Sequence, residues 1–90
     1  MTTHELKSWP EFFEPVFKGV KNFELRIDDR KFNVGDILLL REWDDKQRKY
    51  TGRSVRRIVT YKLEGLGQGA IPPFHGLARG YAILSLSATH

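Results

Sequence analysis

The chain has 90 residues, of which 40% are hydrophobic and 29% are charged. This length accommodates one domain, spanning 1–90, and the composition is typical of a soluble globular protein rather than a disordered segment. The absence of cysteine excludes disulfides, thiolate catalysis and cysteine-ligated zinc. No apolar run approaches the ~20 residues of a membrane span, and the N-terminus lacks the pattern of a secretion signal, so we expect a cytoplasmic protein without a membrane partner.

The net charge is +4, from fifteen Lys and Arg residues against eleven Asp and Glu residues. The excess is local, because residues 46–62 contain no acid and seven basic side chains, namely Lys46, Arg48, Lys49, Arg53, Arg56, Arg57 and Lys62. A concentrated basic segment favours a polyanionic partner. The alternative interpretation is a solvated hairpin, which is the commoner outcome for a charge run of this length.

The N-terminal part of the chain predicts a strand followed by one short helix. Residues 4–7 have a short apolar–polar pattern that favours a strand. Ser8 is predicted to cap the helix, with Glu11 three residues later completing a capping box. Pro15 removes a hydrogen bond inside the helix and Gly19 is a natural end, so we expect the helix to be short or kinked.

The remainder of the chain has the pattern of strands separated by turns. Phe23, Leu25 and Ile27 alternate with polar residues over 22–28, which predicts a strand, and the apolar run 37–40 predicts a strand buried on both faces. The other predicted elements are turns at 29–31, 34–36, 44–46 and 50–52, strands at 53–62 and 81–86, and a long loop at 63–80. This order predicts a mainly β (α+β) fold, a small antiparallel β-barrel with one short N-terminal helix.

Metal and cofactor binding have little support in the sequence. The three histidines, His4, His75 and His90, are far apart and have no paired spacing, so we predict no metal site. The glycine-rich segment 65–69 matches neither the dinucleotide fingerprint nor the P-loop, and it has no following Lys-Ser/Thr. We therefore predict a flexible loop there and no cofactor.

The segment 19–26 has the strongest signal for a functional site. Lys21 lies just before the predicted strand, and Glu24 and Arg26 share one face of it. In the structural interpretation these residues form an ion pair on a solvated face. In the functional interpretation the cations hold a phosphate, while Glu24 reads a base edge or acts as a general acid or base. Lys21 has the parity of Phe23, so it joins Glu24 only if the turn after Gly19 redirects it.

The pattern G-x-K-x-x-E-x-R, complete from Gly19 to Arg26, resembles the motif of ASCH domains, which belong to the PUA-like superfamily. The flanks look like a small bacterial and phage branch of unassigned function, through His4-Glu5-Leu6-Lys7, Trp9-Pro10, Phe12-Phe13, Asp29-Arg30, Val34-Gly35-Asp36 and Tyr50-Thr51-Gly52-Arg53. The resemblance covers nearly the whole chain. It implies a small PUA-like β-barrel that binds RNA in a cleft bearing the motif.

The same resemblance implies a possible hydrolytic activity. Some ASCH relatives hydrolyse N4-acetylcytidine with a Lys, a Thr and a Glu, and others have ribonuclease activity. Lys21 matches the Lys of the first group, whereas Glu24 replaces its Thr and no later Glu can be matched, since Glu64 opens the long loop. Lys21 and Glu24 are therefore the catalytic candidates if the cleft is an active site.

Three function classes stay open at this point. The first is a monomer that binds RNA or a nucleotide, with the basic hairpin and its interleaved Tyr50 and Tyr61 adding charge and stacking. Its candidate residues are Lys21, Glu24, Arg26, Arg30, Tyr50, Arg53 and Arg57. The second is a nucleoside or RNA hydrolase, and the third is a protein-interaction module that uses loop 63–80.

Overall fold

The computed structural model describes residues 1–67 and 76–88 as a mainly β fold, with a five-stranded sheet curled into a half-barrel and one short helix. The elements are β1 (Thr3–Ser8), α1 (Pro10–Phe17), β2 (Phe23–Ile27), β3 (Ile37–Asp44), β4 (Lys49–Glu64) and β5 (Tyr81–Ala88). Their order in the sheet is β1-β3-β4-β5-β2. The small, mainly β architecture with an early helix is confirmed. Residues 68–75 of the loop predicted at 63–80 lie outside the described residues.

One strand pairing departs from the antiparallel prediction. β1 runs parallel to β3, from Thr3 opposite Ile37 to Ser8 opposite Glu42, whereas the other three pairings are antiparallel. A parallel pair needs a long crossover connection, and residues 9–36, which include α1 and β2, provide it.

The helix is short, as predicted, but its predicted cap is wrong. Trp9 occupies the N-cap position and makes no side-chain capping hydrogen bond. Ser8 is instead the last residue of β1, and its buried hydroxyl makes no hydrogen bond to the helix N-terminus that it was expected to cap. Pro10 fits the first turn, and the chain leaves the helix through Gly19, whose positive φ of 79° favours glycine.

The alternation predicted for β2 is present, with its apolar side facing outward. Phe23, Leu25 and Ile27 are about half exposed, at 46%, 52% and 58%, whereas Glu24 is only 3% exposed. The structural interpretation, an ion pair on a solvated face, is therefore wrong for Glu24. The inward position of Glu24 therefore requires polar partners inside the half-barrel.

Two other local predictions are wrong. In β3 only Leu38 and Leu40 are fully buried, because the opposite face of the strand is turned outward and its Ile37 and Leu39 are half-buried. The turn predicted at 50–52 is part of β4, where a β-bulge places three residues opposite one.

The hydrophobic core fills the concave side of the sheet. Helix α1 closes over it with Phe13 and Val16, both fully buried. The whole buried apolar cluster comprises Leu6, Phe13, Val16, Phe32, Leu38, Leu40, Val59, Ala82, Leu84 and Leu86. The extra residue at Thr60 in the β4–β5 ladder turns Tyr61 outward, although Val59 two residues earlier is buried.

A buried polar pair fastens the beginnings of β1 and β3. His4 Nε2 lies 2.8 Å from Asp36 Oδ2, and both side chains are nearly buried. Asp36 also accepts hydrogen bonds from the backbone N–H groups of Asn33 and Thr2, at 3.0 and 3.2 Å. The hydrogen bond with His4 lowers the pKa of the Asp36 carboxyl below its ordinary value of 3.8; burial opposes this shift and the two N–H groups reinforce it.

We expect Asp36→Asn to lower the free energy of unfolding near pH 7 by about 1–3 kcal/mol, because buried donors lose a charged acceptor. The depressed pKa of Asp36 means that its stabilisation is complete above the ordinary value of 3.8 and is lost as pH falls below that value. The difference in the free energy of unfolding between wild type and Asp36→Asn should therefore become smaller below about pH 4, as measured by urea unfolding across pH. A gap independent of pH would contradict a role for the Asp36 charge.

Candidate functional site

The half-barrel has a seam between β1 and β2, where arginine side chains replace backbone pairing. Within the described ranges 1–67 and 76–88, the ladders of the sheet leave β1 and β2 at opposite ends of the strand order. Arg26 Nη2 donates to the carbonyl of Lys7 at 2.8 Å, and Arg30 Nη1 donates to the carbonyl of Glu5 at 3.1 Å. Both carbonyls belong to the free edge of β1. Arg26 and Arg30 thus join the two edges.

The structure brings Lys21, Glu24 and Arg26 together at this seam. Glu24 Oε2 accepts from Arg26 Nε at 3.0 Å, and Glu24 Oε1 lies 3.5 Å from Lys21 Nζ without a hydrogen-bond partner. Lys21 reaches this position because the turn at Gly19 has positive φ and the Lys21 N–H donates to the Pro15 carbonyl at 3.0 Å. Alternation along the strand would place Lys21 on the side of Phe23, and the turn brings it to Glu24 instead.

A cavity of about 480 Å³ opens beside this cluster. This volume is within the range of small-molecule sites, roughly 300–1,000 Å³. Its lining residues are Lys7, Ser8, Trp9, Phe12, Lys21, Phe23, Leu25 and Arg26. We call it the seam cavity. Glu24 is not among these residues, but it contacts two of them, Lys21 and Arg26.

Inside the seam cavity, polar groups stand among aromatic rings. Lys21 Nζ lies 5.5 Å from the centre of the Phe12 ring and 5.1 Å from that of Phe23. Ser8 Oγ is buried and has no hydrogen-bond partner. An unpaired buried hydroxyl is costly, so a ligand that bonds to it gains free energy. The arrangement fits a flat, apolar ring with polar atoms at its edge.

Arg30 lies on the other side of Arg26 from the seam cavity. It borders a second cavity of about 400 Å³, together with Asp29, Phe32 and Tyr81. Arg30 Nη1 already donates a hydrogen bond to the backbone of β1. Arg30 therefore has fewer donors left for a ligand.

Two of the basic candidates on β4 have hydrogen-bond partners within the protein. Arg53 donates from Nε and Nη2 to the two carboxylate oxygens of Glu42, at 2.9 and 3.0 Å, and also pairs with Glu14. The hydrogen bond with Glu42, followed by that with Glu14, raises the pKa of Arg53. Arg57 donates to the carbonyl of Val16 at the C-terminal turn of α1, at 3.0 Å, where a cation is favoured by the helix dipole.

Tyr50 lies away from the seam cavity, on the outer face of β4 opposite Trp43. The aromatic residues that do line the cavity, Trp9, Phe12 and Phe23, were not among the predicted site residues. Trp9 and Phe12 belong to the flanks of the sequence motif, which was the available signal. The orientation of Phe23 toward the outside was not accessible from alternation alone.

In the part of the chain that the structure describes, no group of three or more acidic or histidine side chains is arranged to hold a metal ion. His75 and His90 lie outside the described residues. Among residues 1–67 and 76–88 there is also no helix with the length and hydropathy of a membrane span.

We expect Arg53→Lys to lower the midpoint of thermal unfolding and to leave the affinity for RNA unchanged. Lysine cannot reproduce the two-pronged contact with Glu42 while also reaching Glu14. The matched control is Arg56→Lys, an equal change at an exposed position of the same strand. Thermal unfolding followed by circular dichroism, together with RNA titrations, tests this structural role. An Arg53→Lys protein that melts like wild type and binds RNA more weakly would contradict it and indicate that Arg53 contacts the ligand.

Comparison with known proteins identifies the family without assigning an activity. A stretch of 57 residues, 63% of this chain, is 40% identical to an uncharacterised 12.9 kDa protein of Escherichia phage P2, encoded in the GpA 3' region. That stretch spans 50% of the length of the phage protein. Residues 3–86 match the model of a domain of unknown function, DUF3850. The chain belongs to the DUF3850 family.

Proposed function

We propose that this protein binds RNA or a nucleotide, with one base held in the seam cavity. The observation that carries the proposal is the position of the Lys21 ammonium between the rings of Phe12 and Phe23, beside the unpaired hydroxyl of Ser8. Proteins that bind single-stranded nucleic acid combine aromatic stacking surfaces with cations in this way. The resemblance of the motif to ASCH domains, and with it a PUA-like barrel, is part of this proposal.

Charge and shape both favour a base with its phosphate over a purely apolar ligand. The rings of Trp9, Phe12 and Phe23 supply stacking surface, which contributes roughly 1–3 kcal/mol per base. Lys21 is only 18% exposed and has a single acid, Glu24, at 3.5 Å, so ammonium protons stay available to a ligand oxygen.

In this proposal Glu24 and Arg26 position other groups. One carboxylate oxygen of Glu24 accepts a hydrogen bond from Arg26, and the other lies 3.5 Å from the Lys21 ammonium. Arg26 uses Nε and Nη2 for Glu24 and Lys7, which leaves Nη1 for a phosphate at the cavity wall. Glu24 reads a base only if the base reaches past Lys21, because its carboxylate is buried beneath the lining.

Lys21→Met tests the cation directly, because methionine keeps much of the apolar stem and removes the charge. We expect binding of a short single-stranded RNA to weaken about 10–100-fold, from the loss of a charged hydrogen bond of about 1.5–3 kcal/mol. Fluorescence anisotropy at two salt concentrations measures this, and the matched control is Lys46→Met on the exposed β3–β4 turn. Equal affinity of wild type and a folded Lys21→Met protein would remove the seam cavity from the proposal.

Phe12→Ala tests the stacking wall at low cost to the fold, since Phe12 is 57% exposed. We expect RNA affinity to fall by about 5–100-fold, in line with the loss of one stacking contact. Tyr61→Ala is the control, because Tyr61 is a comparably exposed ring outside the seam cavity. If Phe12→Ala binds RNA as tightly as Tyr61→Ala and wild type, aromatic stacking at the cavity is not the mode of binding.

The second candidate function is hydrolysis of a modified nucleoside or of RNA. Its support is the 3.5 Å separation between Lys21 Nζ and the unbonded Oε1 of buried Glu24, an arrangement in which a carboxylate and an ammonium share a proton-transfer role. Turnover of N4-acetylcytidine or of a labelled RNA, present in wild type and abolished in Glu24→Gln, would support it. Binding without turnover across both substrates would favour the first proposal.

A further inference from the structure

Four side chains on the outer face of β1, β3 and β4 form a row in which the two aromatic rings are flanked by cations. Lys7 Nζ lies 3.9 Å from the centre of the Trp43 ring, and the Arg41 guanidinium lies 3.8 Å from that of Tyr50. The two rings contact each other edge to face, with centres 5.0 Å apart. We call this row the outer ladder. Its rings and cations are half-buried or exposed.

The two cations of the outer ladder are neighbours in the sheet. Lys7 and Arg41 are direct register partners on the parallel strands β1 and β3, and like charges opposite one another destabilise a sheet. Glu5 compensates in part, through a 2.6 Å contact with Arg41 Nη1. That pair is exposed, so it contributes little. An anion placed between Lys7 and Arg41 would relieve the repulsion.

The outer ladder is continuous with the seam cavity through Lys7, which belongs to both. In another direction from Trp9 lies a cavity of about 400 Å³ bordered by three acids, Glu11, Asp44 and Asp45, and one cation, Lys46. A phosphate chain leaving the seam cavity is repelled by those carboxylates and attracted toward Lys7 and Arg41.

We infer that the ligand is a single-stranded RNA of two or more nucleotides, with its second unit bound on the outer ladder. One base occupies the seam cavity, the adjoining phosphodiester lies between Lys7 and Arg41, and the next base stacks on the Trp43–Tyr50 pair or on the Arg41 guanidinium plane. This inference rests on the proposed function and adds the polymeric nature of the ligand. A free nucleoside would leave the outer ladder empty.

The test is the dependence of affinity on RNA length. Wild-type protein is titrated with a nucleoside, a dinucleotide and a hexanucleotide of the same base, and with DNA of equal length. We expect affinity to rise about tenfold or more from the nucleoside to the dinucleotide, because one further stack and one phosphate contact are added. Flat affinity across the series overturns the inference and leaves the proposed function standing, whereas no binding of any RNA overturns both.

Two variants with opposite expected effects locate the second unit. Arg41→Gln should remove most of the gain with length, lower the salt slope of hexanucleotide binding by about 1, and leave nucleoside affinity unchanged. Glu5→Gln removes the carboxylate that competes for Arg41, so hexanucleotide affinity should increase about two- to fivefold at low salt. Lys46→Gln is the charge-matched control for Arg41→Gln. Hexanucleotide binding that is insensitive to both Arg41→Gln and Glu5→Gln overturns the assignment.

Discussion

The open seam between β1 and β2 is the constraint on which the rest of the structure depends. A curled five-stranded sheet that leaves two edges facing each other must satisfy their backbone groups in another way. Here Arg26 and Arg30 reach across to carbonyls of β1. An arginine in that position needs a counter-charge, which Glu24 provides from the inward face of β2. The need for this counter-charge turns the Glu24 face of β2 inward, so that its acid is buried and its apolar side chains are exposed.

This reversal also builds the cavity. Because Phe23 and Leu25 point outward, they stand against Trp9 and Phe12 from the start of the helix, and the gap between the two edges becomes an aromatic recess. Lys21 is carried into it by the turn at Gly19. A fully paired barrel would have a continuous ladder in place of this recess, so incomplete closure and the cavity have the same structural origin.

The sequence predicts most of the elements and places Glu24 and Arg26 on one face, but it leaves the position of Lys21 open and fails where long-range contacts decide. Alternation in β2 is a local property and is confirmed, whereas the side that it buries depends on the seam with β1 and was not accessible. Ser8 has the identity of a helix cap, yet pairing with β3 extends β1 through Ser8 and removes it from the helix. The basic run 46–62 is evident in the composition, but Arg53 is bound by Glu42 and Arg57 by the carbonyl of Val16 at the end of α1, and the composition does not reveal these partners.

The distribution of acids, more than the number of bases, determines where positive charge remains available. The carboxylates of Glu24, Asp36 and Glu42 are buried and occupied by internal partners, so they do not neutralise the surface. Cations with such partners are fixed parts of the fold. Lys7 and Arg41 differ, because each lies over an aromatic ring and the acid that pairs with Arg41, Glu5, is exposed. They are direct register partners on β1 and β3, so positive charge is concentrated on this outer face beside two aromatic rings.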